Sequence, residues 1–328
     1  PRKVFSYQYQ FTIQKGKSKE LRFNLYDLNS EEIDYKNSFD FSTNNTIHIA
    51  KLIYTHNKKT QFFPLDANIS FKSVNVYKDE SLPTVSTYSK RFNAVLFSIN
   101  NSRKIGDIDF YRTRFLFNYN TNSVTPSVEQ IRNQIDDSDP QFLVAGNPDL
   151  KQTYTHNLEL QFRRFNPNIT VSVDASLMRN QIVPRQRFFP EGSLLPEFNN
   201  YPVAANATLT TYENLNGTIA SSLKSNYNTR ISSIKTTFDL TAEFTYNRQP
   251  SFVQEKINIT NSFGCQLKGV MRMDYSNFRI TLATGSQYLK SVNTQKNGNE
   301  YFNQTLSLNS VYNIGKYLFA KGQYNLAL

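Results

Sequence analysis

Apolar and polar side chains alternate with a period of two residues through most of the chain. Between residues 257 and 273 the odd positions are mostly apolar and the even positions mostly polar. After a short turn at 274–277, residues 278–283 alternate in the same way. Successive side chains of a strand point to opposite faces, so this pattern predicts a β-hairpin with one apolar and one polar face.

The same alternation recurs along the chain and predicts about fourteen strands. Several of them reach the ~9–11 residues that cross a bilayer at a tilt. Charged residues recur on the polar face, as at Asp239 and Glu243. We therefore predict that Phe238, Leu240, Phe244, Leu318, Tyr324 and Leu326 face lipid, and that Lys235, Glu243, Lys321 and Gln323 face the interior of a barrel.

The predicted connections differ in length. Short turns are predicted at residues 15–19, 57–60, 101–107, 165–168, 228–233, 274–277 and 315–316, and long polar connections at 123–151 and 188–212. Consecutive antiparallel strands alternate ends, so the short turns should gather at one rim and the long connections at the other. Bacterial outer-membrane barrels have this asymmetry. The sequence thus predicts an all-β, antiparallel, up-and-down transmembrane β-barrel.

Composition agrees with this fold class. Aromatic residues make up 14% of the chain, although Trp is absent. No run of ~18 apolar residues is present, which excludes a helical membrane protein. A soluble β-sandwich or adhesin-like sheet is the alternative, and charged residues on the predicted inner face disfavour it.

The net charge of +11 does not indicate nucleic-acid binding. The densest basic clusters fall at predicted turns, and the chain has no recognisable nucleic-acid-binding module. Solvated turns and a basic lumen account for the charge.

The predicted loop at 123–151 contains the motif Gly146, Asn147, Pro148, Asp149 and Leu150. Gly146 can adopt a positive φ, Pro148 fixes its own φ, and Asp149 can cap the turn, so we interpret the motif as loop geometry rather than as a ligand site. The surrounding segment 125–163 resembles the barrel region of TonB-dependent outer-membrane receptors, and especially the barrel proteins of Bacteroidetes-type bacteria.

This resemblance implies a barrel of about twenty-two strands around a plug. On that expectation, residues 1–328 form part of one transmembrane barrel domain in a bacterial outer membrane, and the plug domain and signal peptide lie outside this chain. The implied function is import of a nutrient such as a glycan, a peptide or a metal chelate, without catalysis. The alternative is a structural or assembly subunit of a larger outer-membrane complex that does not transport.

The expected partners follow from this function. They are outer-membrane lipid, TonB through parts outside this chain, and a surface lipoprotein or other outer-membrane subunits. Candidate ligand or partner residues lie in the long connections, and they are Asp136, Asp137, Asp139, Arg185, Arg187, Phe188, Phe189 and Phe198. Loops on a rigid scaffold commonly carry binding. For Phe188 and Phe189 an aromatic girdle at the membrane interface is an equal alternative.

The sequence predicts neither a metal site nor a cofactor. His48, His56 and His156 lie on separate predicted strands with no local partner, so they would need to converge in space to bind a metal. Cys265 is the only cysteine of the chain and falls on an apolar face. We expect it to be a small lipid-facing residue.

Overall fold

The computed structural model describes residues 2–20, 23–27, 30–33, 39–57, 65–82, 86–105, 113–132, 135–137, 139–165, 167–198, 200–295, 298–314 and 318–327. Strands dominate these residues, and helix is confined to one short α-helix and two 3₁₀ turns. None of the described helices is long and apolar enough to cross a membrane.

Long strands at both ends of the chain flank a middle part made of shorter elements. The first part contains β1 (Arg2–Glu20), β2 (Phe23–Asp27), β3 (Ser30–Ile33), β4 (Phe39–Asn57), β5 (Leu65–Leu82), β6 (Ser86–Ile105), β7 (Thr113–Val124), α1 (Val128–Ile131), β8 (Ile135–Asp136), β9 (Phe142–Ala145) and β10 (Thr153–Arg164). The second part contains β11 (Asn168–Arg179), β12 (Gln181–Phe189), β13 (Ser193–Leu195), a 3₁₀ turn (Pro196–Phe198), β14 (Tyr201–Val203), β15 (Ala207–Leu215), β16 (Thr218–Ile231), a 3₁₀ turn (Ser232–Ile234), β17 (Thr236–Val253), β18 (Lys256–Asp274), β19 (Phe278–Asn293), β20 (Asn299–Ile314) and β21 (Leu318–Ala327).

Thirteen strands form one sheet, which we call the wall. Its order is β1-β4-β5-β6-β7-β10-β11-β16-β17-β18-β19-β20-β21. Every neighbouring pair is antiparallel. The wall confirms the predicted all-β, antiparallel, up-and-down architecture.

The connections of the wall lie at two rims because successive strands run in opposite directions. The short-turn rim holds the connection between β10 and β11 and the turns at 232–235 and 275–277. The long-connection rim holds residues 125–152 and 180–217, and contrary to the prediction it also holds the short turn at 254–255. The prediction that the two long connections share one rim is confirmed.

One predicted turn is wrong, another is displaced, and residues 101–105 of the predicted turn 101–107 belong to β6. Residues 15–19 continue β1, where Lys15 pairs with Asn44 and Lys19 with Asp40. This end of the strand is polar on both faces, so it lacks the alternation that marks a half-apolar strand. Most of the predicted turn 228–233 belongs to β16, and the turn itself occupies 232–235. The predicted turn positions 58–60, 106–107 and 315–316 lie outside the described residues.

The two long connections fold together into a second structure, which we call the rim unit (described residues of 125–152 and 180–217). Its four-stranded sheet has the order β12-β15-β9-β8, and β9 pairs with β15 in parallel. One face of this sheet covers a buried core of Leu143, Ala145, Phe189, Leu195, Val203, Ala207 and Leu209. The long connections are therefore packed structure and not irregular loops.

The rim unit begins where the β11–β16 hairpin bends. Asn180 has a φ of 53° and Gly217 a φ of 94°, a left-handed conformation that Gly and Asn tolerate best. The Asn180 N–H donates to Asn216 Oδ1 at 2.7 Å, and Asn214 Nδ2 donates to the Asn180 carbonyl at 2.8 Å. Beyond the bend the hairpin continues as β12 and β15.

A second buried cluster joins the rim unit to the wall. Val128, Ile131 and Leu150 of the rim unit pack against wall residues Val74, Val76 and Phe92. These three wall residues lie on the otherwise polar face. Val74 and Val76 share one side of β5 with Ser70 and Lys72, and Val74 pairs with Phe92 of β6. The face becomes apolar where the rim unit covers it.

The predicted orientation of the strands is confirmed for β17 and β21. Register from strand to strand places Phe238, Leu240, Phe244, Tyr324 and Leu326 on the face away from the rim unit, and Glu243, Lys321 and Gln323 on the face towards it. Leu240 and Tyr324 are exposed, as expected for side chains that meet lipid. Lys235 is an exception, because it lies in a turn with a φ of 50°. The side chain of Leu318 lies outside the described part of the structure.

Candidate functional site

The Gly146–Leu150 motif makes its described contacts inside the rim unit and with the wall. The Asn147 N–H donates to the Gln130 carbonyl at 2.6 Å, and Asn147 Nδ2 donates to the Tyr212 carbonyl at 2.9 Å. Leu150 is fully buried in the cluster against the wall. The motif thus fixes where the chain enters β10.

Two details of the motif differ from the sequence interpretation. Gly146 does not have a positive φ, since Gly217 is the glycine with that conformation among the described residues. Gly146 is instead needed for close approach, because an added Cβ would lie 2.6 Å from the Glu129 carbonyl oxygen and would also collide with Arg132. The turn is capped by Asn147, whose Oδ1 accepts from the Asp149 N–H at 2.9 Å.

Two lysines of the polar wall face bind backbone carbonyls near the two ends of the 125–152 connection. Lys90 Nζ donates to the Pro148 carbonyl and to the Leu150 carbonyl at 3.1 Å. Lys72 Nζ donates to the Ser123 carbonyl at 2.8 Å. Hydrogen bonds from charged donors are stronger than those between neutral groups. Lys90 therefore fastens the rim unit to the inside of the wall, whereas the Lys72 bond joins β5 to the end of β7.

The three predicted acidic residues do not converge on one point. Asp137 accepts a hydrogen bond from the Tyr201 hydroxyl. Asp139 Oδ1 accepts from the Gln141 N–H at 2.9 Å and so caps a turn. Asp136 is exposed on β8. The contacts of Asp137 and Asp139 are structural ones within the rim unit.

The two predicted arginines tie the rim unit together and to the wall. Arg185 forms an ion pair with Glu213. Arg187 Nε lies 2.6 Å from Glu255 of the β17–β18 turn, and its Nη1 lies 3.0 Å from Glu197. Partial burial alone would lower the pKa of Arg187, but the hydrogen bonds and charges of Glu255 and Glu197 raise it. Arg187 therefore stays charged and links the 3₁₀ turn to the wall.

The three predicted phenylalanines have different surroundings. Phe189 is buried in the core of the rim unit, and Phe198 packs against that core. Both are therefore core residues, and Phe189 is not a girdle residue. Phe188 is 58% exposed. Register places Phe188 and Phe142, which is 65% exposed, on either side of Thr208. These two rings form an apolar patch on the outer face of the rim-unit sheet.

A cavity of about 410 Å³ opens on the polar face of the wall, between the places where the rim unit touches β5–β6 and β17. Its polar lining comes from side chains on β7, β10, β11, β16 and β17. These include Asn120, Asn157, Glu159, Asp174, Ser222 and Asn247. Sequence reasoning missed this site because its residues are far apart along the chain and meet only through strand register.

Two carboxylates lie directly opposite each other in this cavity. Glu159 of β10 pairs in register with Asp174 of β11. Asn118 Nδ2 donates to Glu159 Oε2 at 2.7 Å, and the Ser222 hydroxyl donates to Asp174 Oδ2 at 3.4 Å. Neither carboxylate has an ion-pair partner among the described residues. Like charges placed directly across a strand pair repel each other, so the cavity favours ligand groups that are cationic or donate hydrogen bonds.

Two of the three histidines bind tyrosines of neighbouring strands. His48 Nδ1 shares a hydrogen bond of 2.7 Å with the Tyr9 hydroxyl, and His156 Nδ1 shares one of 2.9 Å with the Tyr119 hydroxyl. Both pairs lie on the face away from the rim unit. The His56 side chain lies outside the described residues. Within the described ranges, no three His, Cys, Asp or Glu side chains are grouped so as to hold a metal ion.

The apolar outward face, the polar inward face and the unequal rims define a transmembrane β-barrel protein. A family model described as the outer membrane protein beta-barrel family matches residues 80–328. The chain belongs to this family and therefore resides in a bacterial outer membrane. No curated protein matches the chain.

Proposed function

We propose that this barrel is an outer-membrane receptor that imports a nutrient through its lumen and catalyses no reaction. The observation that carries the proposal is the polar cavity on the inward face of the wall. A wall that served only as a scaffold would need neither an inward cavity with two opposed carboxylates nor a folded unit fastened to its inner face by Lys90. Ligand sites in barrels commonly lie in such mouths.

The cavity lining favours some of the expected nutrients over others. Asparagine amides and serine or threonine hydroxyls can both donate and accept hydrogen bonds, as recognition of a glycan or a peptide requires. The Glu159–Asp174 pair disfavours anionic metal chelates. We therefore place glycans and peptides ahead of metal chelates.

Coupling to TonB is part of the same proposal. The likeness of the 125–163 segment to TonB-dependent receptors supports it, and contact with TonB would use parts outside this chain.

We also propose that the wall belongs to a larger barrel domain with a plug. The described sheet has thirteen strands, whereas bacterial single-chain barrels have an even number.

The test is nutrient uptake by a strain that lacks the full gene. Growth is measured on oligosaccharides, on oligopeptides and on ferric chelates as the limiting nutrient, with and without a protonophore. We expect growth on one nutrient class to be lost and then restored by the wild-type gene. Combined Glu159→Gln and Asp174→Asn substitution should lower the uptake rate about tenfold or more, because charged hydrogen-bond partners are removed.

The matched control is Glu129→Gln combined with Glu191→Gln, which removes the same charge from exposed positions of the rim unit. This variant should import at the wild-type rate. Normal growth of the deletion strain on all three nutrient classes, or uptake that the protonophore leaves unchanged, would contradict energised import.

One observation favours the alternative of a structural or assembly subunit. The exposed Phe142 and Phe188 rings form an apolar patch, and such patches often mark protein contacts. A surface lipoprotein or another outer-membrane subunit would fit there. Stable co-purification of such a partner from the wild-type strain, together with unchanged nutrient uptake on gene deletion, would support this alternative over import.

A further inference from the structure

The outward face of the wall has an apolar band, and on β1 and β6 this band is bounded by cations at both ends. On β1 the outward positions between Lys3 and Lys15 are Phe5, Tyr7, Tyr9, Phe11 and Ile13. On β6 the outward positions between Arg91 and Arg103 are likewise uncharged. In the described wall, no outward side chain within this band is Asp, Glu, Lys or Arg.

Five cations mark the upper edge of the band, towards the long-connection rim. They are Lys15 on β1, Arg91 on β6, Arg179 on β11, Arg248 on β17 and Lys290 on β19. We call them the upper basic belt. Each of them occupies an outward position of its strand.

Strand register shows that the upper basic belt lies at one level. Lys290 pairs with Phe263, which pairs with Tyr246. Arg248 therefore lies two residues higher along the register than Lys290, and two strands away. The same step separates Arg248 from Arg179, because Arg248 pairs with Ile219 and Ile219 with Leu177.

A smaller step, of two residues over three strands, leads to the first strand of the wall. Arg91 pairs with Asn75, which pairs with Thr46, and Thr46 pairs with Ile13. Lys15 lies two residues above Ile13, three strands from Arg91. The belt thus shifts by one residue per strand between Lys290 and Arg179, and by two residues over three strands between Arg91 and Lys15.

This shift is the one that a tilted barrel produces. One residue of rise, ~3.3 Å, per strand spacing of ~4.8 Å corresponds to a tilt of about 35°, within the range for outer-membrane barrels. Residues that follow this shift from strand to strand therefore lie at one height relative to the membrane plane. The twelve-residue separation between Arg91 and Arg103 then spans about 33 Å of height, close to the ~30 Å hydrocarbon thickness.

An aromatic girdle supports the same level. Tyr154, Tyr246, Phe263, Tyr288 and Phe302 are outward residues immediately below the belt. Aromatic side chains concentrate at the boundary between hydrocarbon and headgroups. The belt therefore lies at the depth of the lipid headgroups.

Three belt members are available for a ligand. Lys15, Arg91 and Arg179 are exposed and have no ion-pair partner among the described residues. Arg248 Nη1 donates to the Gly217 carbonyl at 2.7 Å, and Lys290 forms an ion pair with Glu300. Long basic side chains reach from an apolar surface to headgroups.

We propose that the upper basic belt binds the phosphate groups of glycolipids in the leaflet at the long-connection rim. Arginine forms paired hydrogen bonds with phosphate oxygens, and lysine adds a point charge. This inference concerns the lipid-facing side of the wall and does not depend on the proposed import function.

The test measures lipid binding by the full-length protein in mixed detergent micelles. The probes are a diphosphorylated glucosamine-disaccharide lipid and the same lipid after removal of both phosphates, with bound lipid counted by native mass spectrometry. We expect the wild-type protein to bind the phosphorylated lipid at least about tenfold more tightly. Combined Lys15→Gln, Arg91→Gln and Arg179→Gln substitution should remove most of this preference.

The control variant combines Lys224→Gln, Lys268→Gln and Lys321→Gln, which remove three charges from the inward face. It should keep the wild-type preference. Equal binding of both lipids by the wild-type protein would overturn the proposal without any variant. Equal losses in the belt variant and the control, or no loss in a belt variant that still migrates as a folded barrel, would also overturn it.

Discussion

At the scale of single residues, the family-like motif depends on the absence of a side chain at Gly146. The space where its Cβ would lie is occupied by backbone atoms of Glu129 and Arg132 at the end of α1. This four-residue helix is held at its N-terminus, where Ser127 and Gln130 form a capping box. Backbone in such a place cannot move aside as a flexible side chain can.

We therefore expect Gly146→Ala to loosen the rim unit. Overpacking of this kind costs about 1–3 kcal/mol, and the cost should fall on the rim unit while the wall stays folded. Limited proteolysis of the full-length protein should cleave residues 125–152 faster, at an unchanged thermal transition of the barrel. Gly269→Ala is the control, because its Cβ would make ordinary contacts of 3.4 Å with Leu240 and Thr284. Equal protease resistance in both variants would contradict the expectation.

At the scale of elements, periodicity predicted the wall well and the rim unit poorly. Strands such as β17 and β18 have one lipid-facing side, so their alternation is visible in the sequence. The rim unit gives no such signal, because Leu143 and Leu209 join its core from distant parts of the chain. Phe188 and Phe189 illustrate the consequence: neighbours in sequence, one is exposed and the other is buried.

Attachment of the rim unit to the wall can be tested at Lys90. Lys90→Met keeps an unbranched side chain but removes the bonds to the Pro148 and Leu150 carbonyls. The loss should amount to about 1–3 kcal/mol, since buried carbonyls lose a charged donor. Hydrogen exchange of the Leu150 amide, which donates to the Asn147 carbonyl at 3.3 Å, should accelerate. Lys268→Met changes an inward lysine away from the rim unit and should leave that exchange rate unchanged. Identical exchange in both variants would show that Lys90 does not anchor the unit.

At the scale of the whole molecule, the orientation in the membrane follows from strand register. Each strand alone shows which residues face outward, but it does not show which outward residues share a level. Arg91 and Lys290 become comparable only after register is followed across the intervening strands. The sequence therefore predicted the two faces, whereas the level of the basic belt required the structure.

Cys265 provides a test of this orientation with the natural sequence. It lies on the outward face of β18, paired with Phe244 and Tyr288, within the apolar band. A thiol that meets lipid is hard to reach for a reagent dissolved in water. In liposomes, a water-soluble maleimide should label Cys265 at least about tenfold more slowly than Gln266→Cys in a Cys265→Ala background, because residue 266 faces the lumen. A fluorophore on Cys265 should be quenched by nitroxide-labelled lipid, and one at residue 266 should not. Labelling of Cys265 as fast as that of residue 266, without lipid quenching, would show that the two faces have been assigned the wrong way round.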